Sequence, residues 1–237
     1  MQNFISSLLG NLRFFAICLG ICAAFFLAAW GLEHLVGGRR PAVSKARYTA
    51  ELGMCAAASA VLMLLEIPLF FAPSFYKLDF SEIPVLICSF VMGPLAGVLC
   101  EFLKILLKLI LKGTTTVFVG DLGNFIVGCF FVLPASVLYY RKKTRRHAML
   151  GLLVGTLSMT VLGSLLNAFY LIPQFAELFH LSLDSIVGMG QAVNPAIHDL
   201  STLIFFAVVP FNLVKGVLVS LITLLIYKPL RSLFLRS

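Results

Sequence analysis

Long stretches without a charged residue constrain the fold of this chain most strongly, and three examples show their length. They cover residues 14–32, 83–100 and 125–140, and each is close to the roughly 17–25 residues that an α-helix needs to cross a bilayer. Hydrophobic residues make up 60% of the chain and charged residues 12%, against roughly 45–50% and about 25% in soluble domains. These values exclude a soluble globular fold and predict an all-α, polytopic membrane protein.

Twelve of the 18 lysines and arginines fall in three short clusters between apolar stretches. The clusters consist of Arg39, Arg40, Lys45 and Arg47, of Arg141, Lys142, Lys143, Arg145 and Arg146, and of Lys228, Arg231 and Arg236. By the positive-inside rule, all three face the cytoplasm. The rule predicts a multi-pass protein of the cell membrane with its N-terminus outside and its C-terminus in the cytoplasm. Binding of nucleic acid is disfavoured, because the clusters are brief and lack interleaved aromatic residues.

The spacing of apolar runs and helix breakers predicts seven crossings. An N-terminal helix over residues 12–36 is followed by a linker that contains Gly37, Gly38 and Pro41. We expect two parts, with this helix and linker in 1–47 and a membrane domain of six helices in 48–237. The six helices are expected near 51–70, 82–93, 94–112, 122–140, 149–172 and 203–227. The more polar segment 173–199 is expected to form an outer loop or a partly helical lid.

Polar side chains inside apolar helices are energetically unfavourable and point to a ligand site. Asn212 and Lys215 lie three residues apart, so they share one face of a helix. Asn167 lies in a second apolar run, and Asn124 follows Asp121 by three residues in a third. A single membrane asparagine is often no more than a bond between helices. Three asparagines at similar depth together with a lysine favour a pocket in the outer half of the membrane.

Two further patterns have structural interpretations. Lys104, Lys108 and Lys112 repeat every four residues, with Glu101 three residues before the first of them. We favour a structural role for this stripe over an aqueous vestibule. Small residues at 53 and 57, and at 56 and 60, permit the close approach of another helix, which can belong to this chain or to a different subunit.

The sequence contains no recognisable enzyme or metal-binding motif. HExxH, P-loop and GxSxG patterns are absent, so neither enzymatic activity nor ATP hydrolysis by this chain is expected. The six cysteines lie in apolar runs without a CxxC pair, and the four histidines are scattered. We therefore expect free buried thiols, no metal site and no cofactor.

Four ordered motifs within residues 51–227 resemble a known family. The motifs are KLDFSEIP at 77–84, GPLAG at 93–97, GNF at 123–125 and PFNLVKG at 210–216. In these motifs the chain is similar to the riboflavin-specific substrate-binding (S) components of energy-coupling factor (ECF) transporters. The helix at 12–36 lies outside the six-helix pattern of that family.

The resemblance implies a six-helix bundle that binds riboflavin, as transported ligand, near the outer face of the membrane. It also implies partners, namely a transmembrane coupling subunit and two cytoplasmic ATPases. The residues that it assigns to the ligand are Leu78, Asp79 and Phe80 in a covering loop, and Asn124, Asn167, Asn212 and Lys215 in the helices. Asp121 beside Asn124 joins this set, and Phe80 and Tyr170 are expected to pack on the ring. Ala56 and Ala60 are expected to face the coupling subunit.

Two other interpretations remain open from the sequence. One is an S component for another ligand, such as thiamine, a queuosine precursor or flavin mononucleotide. The other is a secondary transporter coupled to protons through Asp79, Glu82, Glu101 or Asp121. Competition between ligands tests the first, and uptake driven by a proton gradient without an ATPase tests the second.

Overall fold

Helices dominate the computed structural model, which describes residues 2–37, 44–73, 75–114 and 118–235. The longer ones are α1 (Gln2–Val36), α2 (Lys45–Leu64), α3 (Glu82–Met92), α4 (Pro94–Lys112), α5 (Val119–Arg141), α6 (Arg145–Leu166) and α10 (Val209–Leu235). The shorter ones are α7 (Ile172–Leu178), α8 (Leu183–Gln191) and α9 (Leu200–Leu203). The prediction of an all-α membrane bundle with one additional N-terminal helix is confirmed.

Four helical stretches in the described part of the chain are long and apolar enough to cross a membrane. They are Ala16–Val36, Val119–Arg141, Arg145–Leu178 and Leu200–Pro229. The last two are continuous because π-helical turns at Asn167–Leu171 and Ile204–Val208 join α6 to α7 and α9 to α10. Asn167, which begins the first turn, and Phe211, which follows the second, lie at the same end of the bundle.

A glycine and a proline separate α3 from α4. Gly93 has a φ of 110°, a conformation that side chains with a Cβ rarely adopt. Pro94 then occupies the first turn of α4, where its missing N–H leaves no helical hydrogen bond unmade. The predicted boundary at this dipeptide agrees with the structure.

Close backbone contact joins α5 to α6. A Cβ at Gly151 would lie 2.5 Å from the carbonyl oxygen of Ala135, and one at Gly155 would lie 2.5 Å from that of Phe131. Glycine at these two positions therefore allows the helices to pack without intervening side chains. Nearby, the rings of Phe90 and Tyr139 stack at 4.3 Å in the main core.

The two ends of the bundle differ in character. At the end that we call the basic end, α5 gives way to α6, and Arg141, Lys142, Arg145 and Arg146 are exposed there. The start of α4 lies at the same end, since Gly93 is close to the ring of Tyr140. The opposite end, which we call the pocket end, carries the start of α5, the start of α10 and the short helices. Arg39, Arg40, Arg236 and residues 115–117 of the expected outer loop lie outside the described residues.

Helix α1 packs along α4 and α5. Phe25 makes edge contacts with Phe125 and Phe130 at 5.7 and 5.6 Å, and Phe26 does so with Phe102 at 5.8 Å. Ala29 is fully buried on this face. The carboxylate of Glu33 accepts a hydrogen bond of 3.0 Å from the backbone N–H of Leu95. Helix α1 is thus an integral part of the bundle.

Helix α2 is as long as the expected 51–70, but it begins and ends six residues earlier, at Lys45 and Leu64. After Leu64, the chain enters an antiparallel pair of two-residue strands, β1 (Ile67–Pro68) and β2 (Lys77–Leu78). We call residues 65–81 the covering loop. The polar segment 173–199 is largely helical and supplies α7 and α8, in line with the partly helical lid that was one of the two expectations for it.

Candidate functional site

A cavity of about 580 Å³ lies at the pocket end, within the roughly 300–1,000 Å³ usual for ligand pockets. Helices α5 and α10 and the π-helical turn at Asn167–Leu171 form most of its walls, and the covering loop, α7 and α8 contribute its roof. The apolar side chains that line it are Met63, Phe75, Val127, Leu171, Ile172, Phe175, Phe179, Leu181, Ile186, Met189 and Phe211. Such walls suit a flat apolar molecule.

Six of the residues expected to bind ligand line this one cavity. They are Asp79, Asp121, Asn124, Asn167, Asn212 and Lys215. They come from the covering loop, α5, the π-helical turn after α6, and α10, and only the tertiary fold brings them together. Asn167, Asn212 and Lys215 are each at most 6% exposed, so their polar atoms are shielded from bulk solvent.

Three other expected residues do not line the cavity. Leu78 of the covering loop is buried beside Ala72 and Phe211, and Phe80 packs against the core. Tyr170 is half-buried, and it is absent from the cavity wall. The side chains of residues 78 and 80 point away from the cavity because Asp79 between them points into it.

The deep end of the cavity carries an ammonium group held by two carboxylates. Nζ of Lys215 lies 2.9 Å from Oδ2 of Asp79 and 3.1 Å from Oε1 of Glu82. An ammonium has three N–H donors, so one remains for a ligand. Nδ2 of Asn212, one turn away on the same face, is buried and has no hydrogen-bond partner among the described residues. The deep end therefore offers two donors to acceptor atoms of a bound molecule.

Asn167, at the start of the π-helical turn that follows α6, already has hydrogen-bond partners. Its Oδ1 accepts a hydrogen bond of 2.7 Å from the hydroxyl of Tyr76, and its Nδ2 donates to the carbonyl of Gly163 at 2.9 Å. Tyr76 belongs to the covering loop, and its ring lies against Phe211 with centroids 5.3 Å apart. Asn167 thus fastens the covering loop to α6.

Ion pairs surround the outer rim of the cavity. Glu66 contacts Nζ of Lys77 at 2.7 Å and of Lys112 at 2.9 Å, and Lys108 contacts Asp121 at 2.6 Å. Burial by itself would raise the pKa of Glu66, but the two ammonium groups hold it below its ordinary value. These pairs connect the covering loop to the end of α4, and α4 to the start of α5.

Sequence reasoning missed several cavity residues. Tyr76 lies in the covering loop that the sequence singled out, but nothing in the pattern distinguishes it from its aromatic neighbour Phe75. Phe175 and Phe179 are four residues apart, so they share one face of a helix. This spacing could have predicted that their segment contributes a helix to the roof of the cavity. Glu66 lies beyond the end of α2, where the sequence was expected to continue the helix.

The expectation that Ala56 and Ala60 face a coupling subunit is corrected. Both are 1% exposed and pack inside the bundle. On the opposite face of α2, Gly53 and Ala57 are exposed, and a Cβ at Gly53 would meet nothing within 4 Å. A partner helix therefore has access to the pair at 53 and 57, and not to the pair at 56 and 60.

Comparison with known proteins places the chain in a family. Residues 47–227 match the family model described as ECF transporter, substrate-specific component. The riboflavin transporter FmnP of Bacillus subtilis (strain 168) is 32% identical over 190 residues, which cover 79% of this chain and 93% of that protein. The riboflavin transporter RibU of Staphylococcus aureus (strain TCH60) is 29% identical over 200 residues, covering 84% and 98%.

Comparison with a solved structure supports membership of the same family. The S component of a bacterial ECF transporter superposes with a TM-score of 0.62 at 29% identity, and the match covers 79% of this chain and 96% of that one. The family and these relatives are transport components and not enzymes. The chain is therefore a multi-pass membrane protein that belongs to the family of substrate-specific (S) components of ECF transporters.

Proposed function

We propose that this chain binds riboflavin in the cavity at the pocket end, as the S component of a vitamin importer. The observation that carries the proposal is the pair of available donors at the deep end, Nδ2 of Asn212 and the third N–H of Lys215. An isoalloxazine ring has an apolar body and a polar edge with carbonyl and ring-nitrogen acceptors. The apolar walls and the donor pair complement these two parts, and relatives named riboflavin transporters support the same ligand.

The experiment is an absorption spectrum of the protein, purified in detergent from cells supplied with riboflavin. We expect a flavin spectrum for the parent and its loss in the Asn212→Ala, Lys215→Ala double variant. A matched control is Lys142→Ala, Lys228→Ala, which removes two exposed lysines at the basic end and is expected to keep the flavin. A colourless parent that leaves added riboflavin fluorescence unquenched contradicts the proposal and favours thiamine, a queuosine precursor or flavin mononucleotide, which competition assays then distinguish.

We further propose that the pocket end faces outside and the basic end faces the cytoplasm. The exposed basic residues at 141–146 support this orientation through the positive-inside rule. It places the N-terminal end of α1 outside and the end of α10 inside. A cysteine introduced at Thr144, in a variant without the six native cysteines, should react only with a reagent that enters the cell. Labelling from outside contradicts the orientation.

Import requires a source of energy that this chain does not supply. We propose that a transmembrane coupling subunit and two cytoplasmic ATPases reorient it, with Gly53 and Ala57 of α2 at the contact. The acids considered for proton coupling are each in contact with an ammonium group, Asp79 and Glu82 with Lys215, Glu101 with Lys104, and Asp121 with Lys108. Riboflavin accumulation in liposomes that contain this chain alone and a proton gradient contradicts the ATP-driven proposal.

The chain is proposed to function in two parts. Residues 48–237 carry the cavity and form the ligand-binding domain, and residues 1–47 add helix α1 and its linker. The start of the family match at residue 47 supports this division. None of the described side chains of α1 lines the cavity. The role of α1 is therefore expected to be distinct from ligand binding.

A further inference from the structure

Behind the deep end of the cavity, a chain of buried polar groups reaches Asp79 from the side away from the ligand. Lys104 of α4 is fully buried and does not line the cavity. Its Nζ lies 3.1 Å from Oγ of Ser81 and 3.5 Å from Oε1 of Glu82, and it also pairs with Glu101. Ser81 is 1% exposed and likewise lies outside the cavity wall.

Within this series of buried polar groups, the chemistry of each group fixes which atom donates each hydrogen bond. An ammonium can only donate, so Oγ of Ser81 accepts from Lys104. The hydroxyl proton of Ser81 is then available to Oδ1 of Asp79, which Oγ contacts closely, and the backbone N–H of Ser81 donates to the same oxygen at 2.9 Å. Because Oδ1 is occupied by Ser81, Lys215 is left with Oδ2, which it contacts at 2.9 Å.

One carboxylate oxygen of Glu82 contacts the ammonium groups of both lysines. This oxygen, Oε1, lies 3.1 Å from Nζ of Lys215 and 3.5 Å from that of Lys104. Lys104 therefore neutralises part of the negative charge that would otherwise act on Lys215 alone. Without it, three buried carboxyl groups, those of Asp79, Glu82 and Glu101, would share one ammonium. Lys215 would then be drawn towards them and away from the cavity.

We propose that Ser81 and Lys104 are positioning residues for ligand recognition: through Asp79 and Glu82, they orient Lys215 so that its third N–H points into the cavity. Neither residue touches the ligand. The inference rests on the proposed riboflavin site and adds to it two residues from outside the cavity wall. It also gives a function to Lys104, the first lysine of the stripe on α4.

Ser81→Ala is the most direct test, because it removes one hydroxyl and preserves every charge. Loss of one hydrogen bond to a charged group corresponds to a change of about tenfold in an equilibrium constant, so we expect the riboflavin Kd to rise about tenfold. The near-ultraviolet absorption band of bound flavin responds to hydrogen bonding at the ring carbonyls, and we expect it to shift. A merely structural role would lower thermal stability without moving this band.

Ser89→Ala is the matched control. Ser89 is a fully buried serine on α3 whose hydroxyl donates to the carbonyl of Leu86, and it lies outside the cluster. It is expected to leave both Kd and spectrum unchanged. If the parent binds riboflavin and Ser81→Ala matches it within twofold in Kd with an unshifted band, the positioning role is overturned while the proposed function stands. A parent that does not bind riboflavin overturns both.

A double-mutant cycle provides the second test. Lys104→Met combined with Glu101→Gln removes one positive and one potential negative charge, which spares the protein an unpaired buried charge. We expect this variant to bind riboflavin at least about tenfold more weakly than the parent. Adding Ser81→Ala to it should produce no further loss, because both changes break the same chain of hydrogen bonds. Fully additive losses overturn the proposal, and if the Lys104 variant does not fold, Ser81→Ala alone decides.

Discussion

The hydroxyl of Tyr76 donates a hydrogen bond of 2.7 Å to the side-chain carbonyl of Asn167, and it thereby joins the covering loop to a helix 91 residues further along the chain. The partly buried phenol ring packs against Phe211. Since the covering loop contributes to the roof of the cavity, we expect this bond to break when a ligand enters or leaves beneath the loop. We call this hydrogen bond between Tyr76 and Asn167 the latch, because it fastens the covering loop over the cavity.

Tyr76→Phe should loosen this latch while it keeps the ring. A neutral hydrogen bond contributes about 1 kcal/mol, so we expect riboflavin to dissociate about fivefold faster, with a smaller change in Kd because association also speeds up. Stopped-flow fluorescence of the flavin measures both rates. Tyr227→Phe is the control, since that buried tyrosine packs in the core with Phe90 and Tyr139, outside the cavity wall. Equal rates for Tyr76→Phe and the parent contradict the latch.

The rim pairs of Glu66 give a dependence on salt and pH. Glu66→Gln removes the carboxylate that holds Lys77 of the covering loop and Lys112 of α4. Exposed ion pairs contribute only about 0.2–1 kcal/mol and are screened by salt. We therefore expect a rise in riboflavin dissociation rate of at most about fivefold at low salt, which shrinks as salt is added. The difference between parent and variant is measured across a salt series.

The sign of the pH effect follows from the lowered pKa of Glu66. Because the folded-state pKa lies below the ordinary value of 4.5, the stabilisation is fully present above pH 4.5 and is lost as the pH falls through the folded-state pKa. Parent and Glu66→Gln should thus differ at pH 7 and converge in acid. A difference that grows in acid instead contradicts the assignment.

Glu33 is expected to hold α1 against the basic end of the bundle. Its carboxylate accepts from the N–H of Leu95 in the first turn of α4, where a negative charge also interacts favourably with the helix dipole. Glu33→Ala should lower the stability of the protein by about 1–2 kcal/mol. Riboflavin affinity should stay the same, because the cavity lies at the other end. Thermal unfolding in detergent, followed with and without riboflavin, measures both.

Glu177→Ala is a useful comparison for Glu33→Ala. Glu177 is an exposed acid on α7, and its loss should leave stability nearly unchanged. If Glu33→Ala is as stable as Glu177→Ala, the Leu95 contact does not hold α1. If it instead weakens riboflavin binding at constant stability, α1 influences the cavity and the separation of the two parts is wrong.

Much of the fold could be predicted from the sequence because local chemistry decides it. Gly93 and Pro94 interrupt a helix whatever surrounds them. The basic clusters mark one end of the bundle. Asn212 and Lys215 indicate a ligand site, because polar side chains are energetically unfavourable in an apolar helix. In each of these cases, the residue type alone leaves only one or two possible local structures or functions for the segment.

The remaining features depend on which side of an element packs inward. Asp79 points into the cavity and its neighbours at 78 and 80 do not, a result set by the strand pairing of residues 67 and 68 with 77 and 78. Tyr76 contacts Asn167 at the residue where a π-helical turn begins. Such contacts span long sequence separations, and no local pattern encodes them. Small residues occur on both faces of α2, so the sequence alone could not choose the exposed one.

The exposed face of α2 leads to a prediction that separates binding from transport. Gly53→Leu with Ala57→Leu adds two large side chains at a surface where a Cβ at 53 meets no neighbour. Leucine favours a helix more than glycine by about 0.5–1 kcal/mol, so stability and riboflavin affinity should not fall. If a coupling subunit packs closely against this face, however, the added volume should block it, and riboflavin uptake by cells should drop at least about tenfold, the effect of roughly 1.4 kcal/mol of lost contact.

Gly20→Leu is the matched control for that variant, since Gly20 on α1 also has open space around it. It should preserve both binding and uptake. Ala56→Leu provides the opposite comparison, because residue 56 lies inside the bundle and overpacking there should destabilise the protein by about 1–3 kcal/mol. Normal uptake by the 53/57 variant would exclude this face as the docking site. Loss of purified-protein binding in the same variant would show that the face communicates with the cavity without any partner.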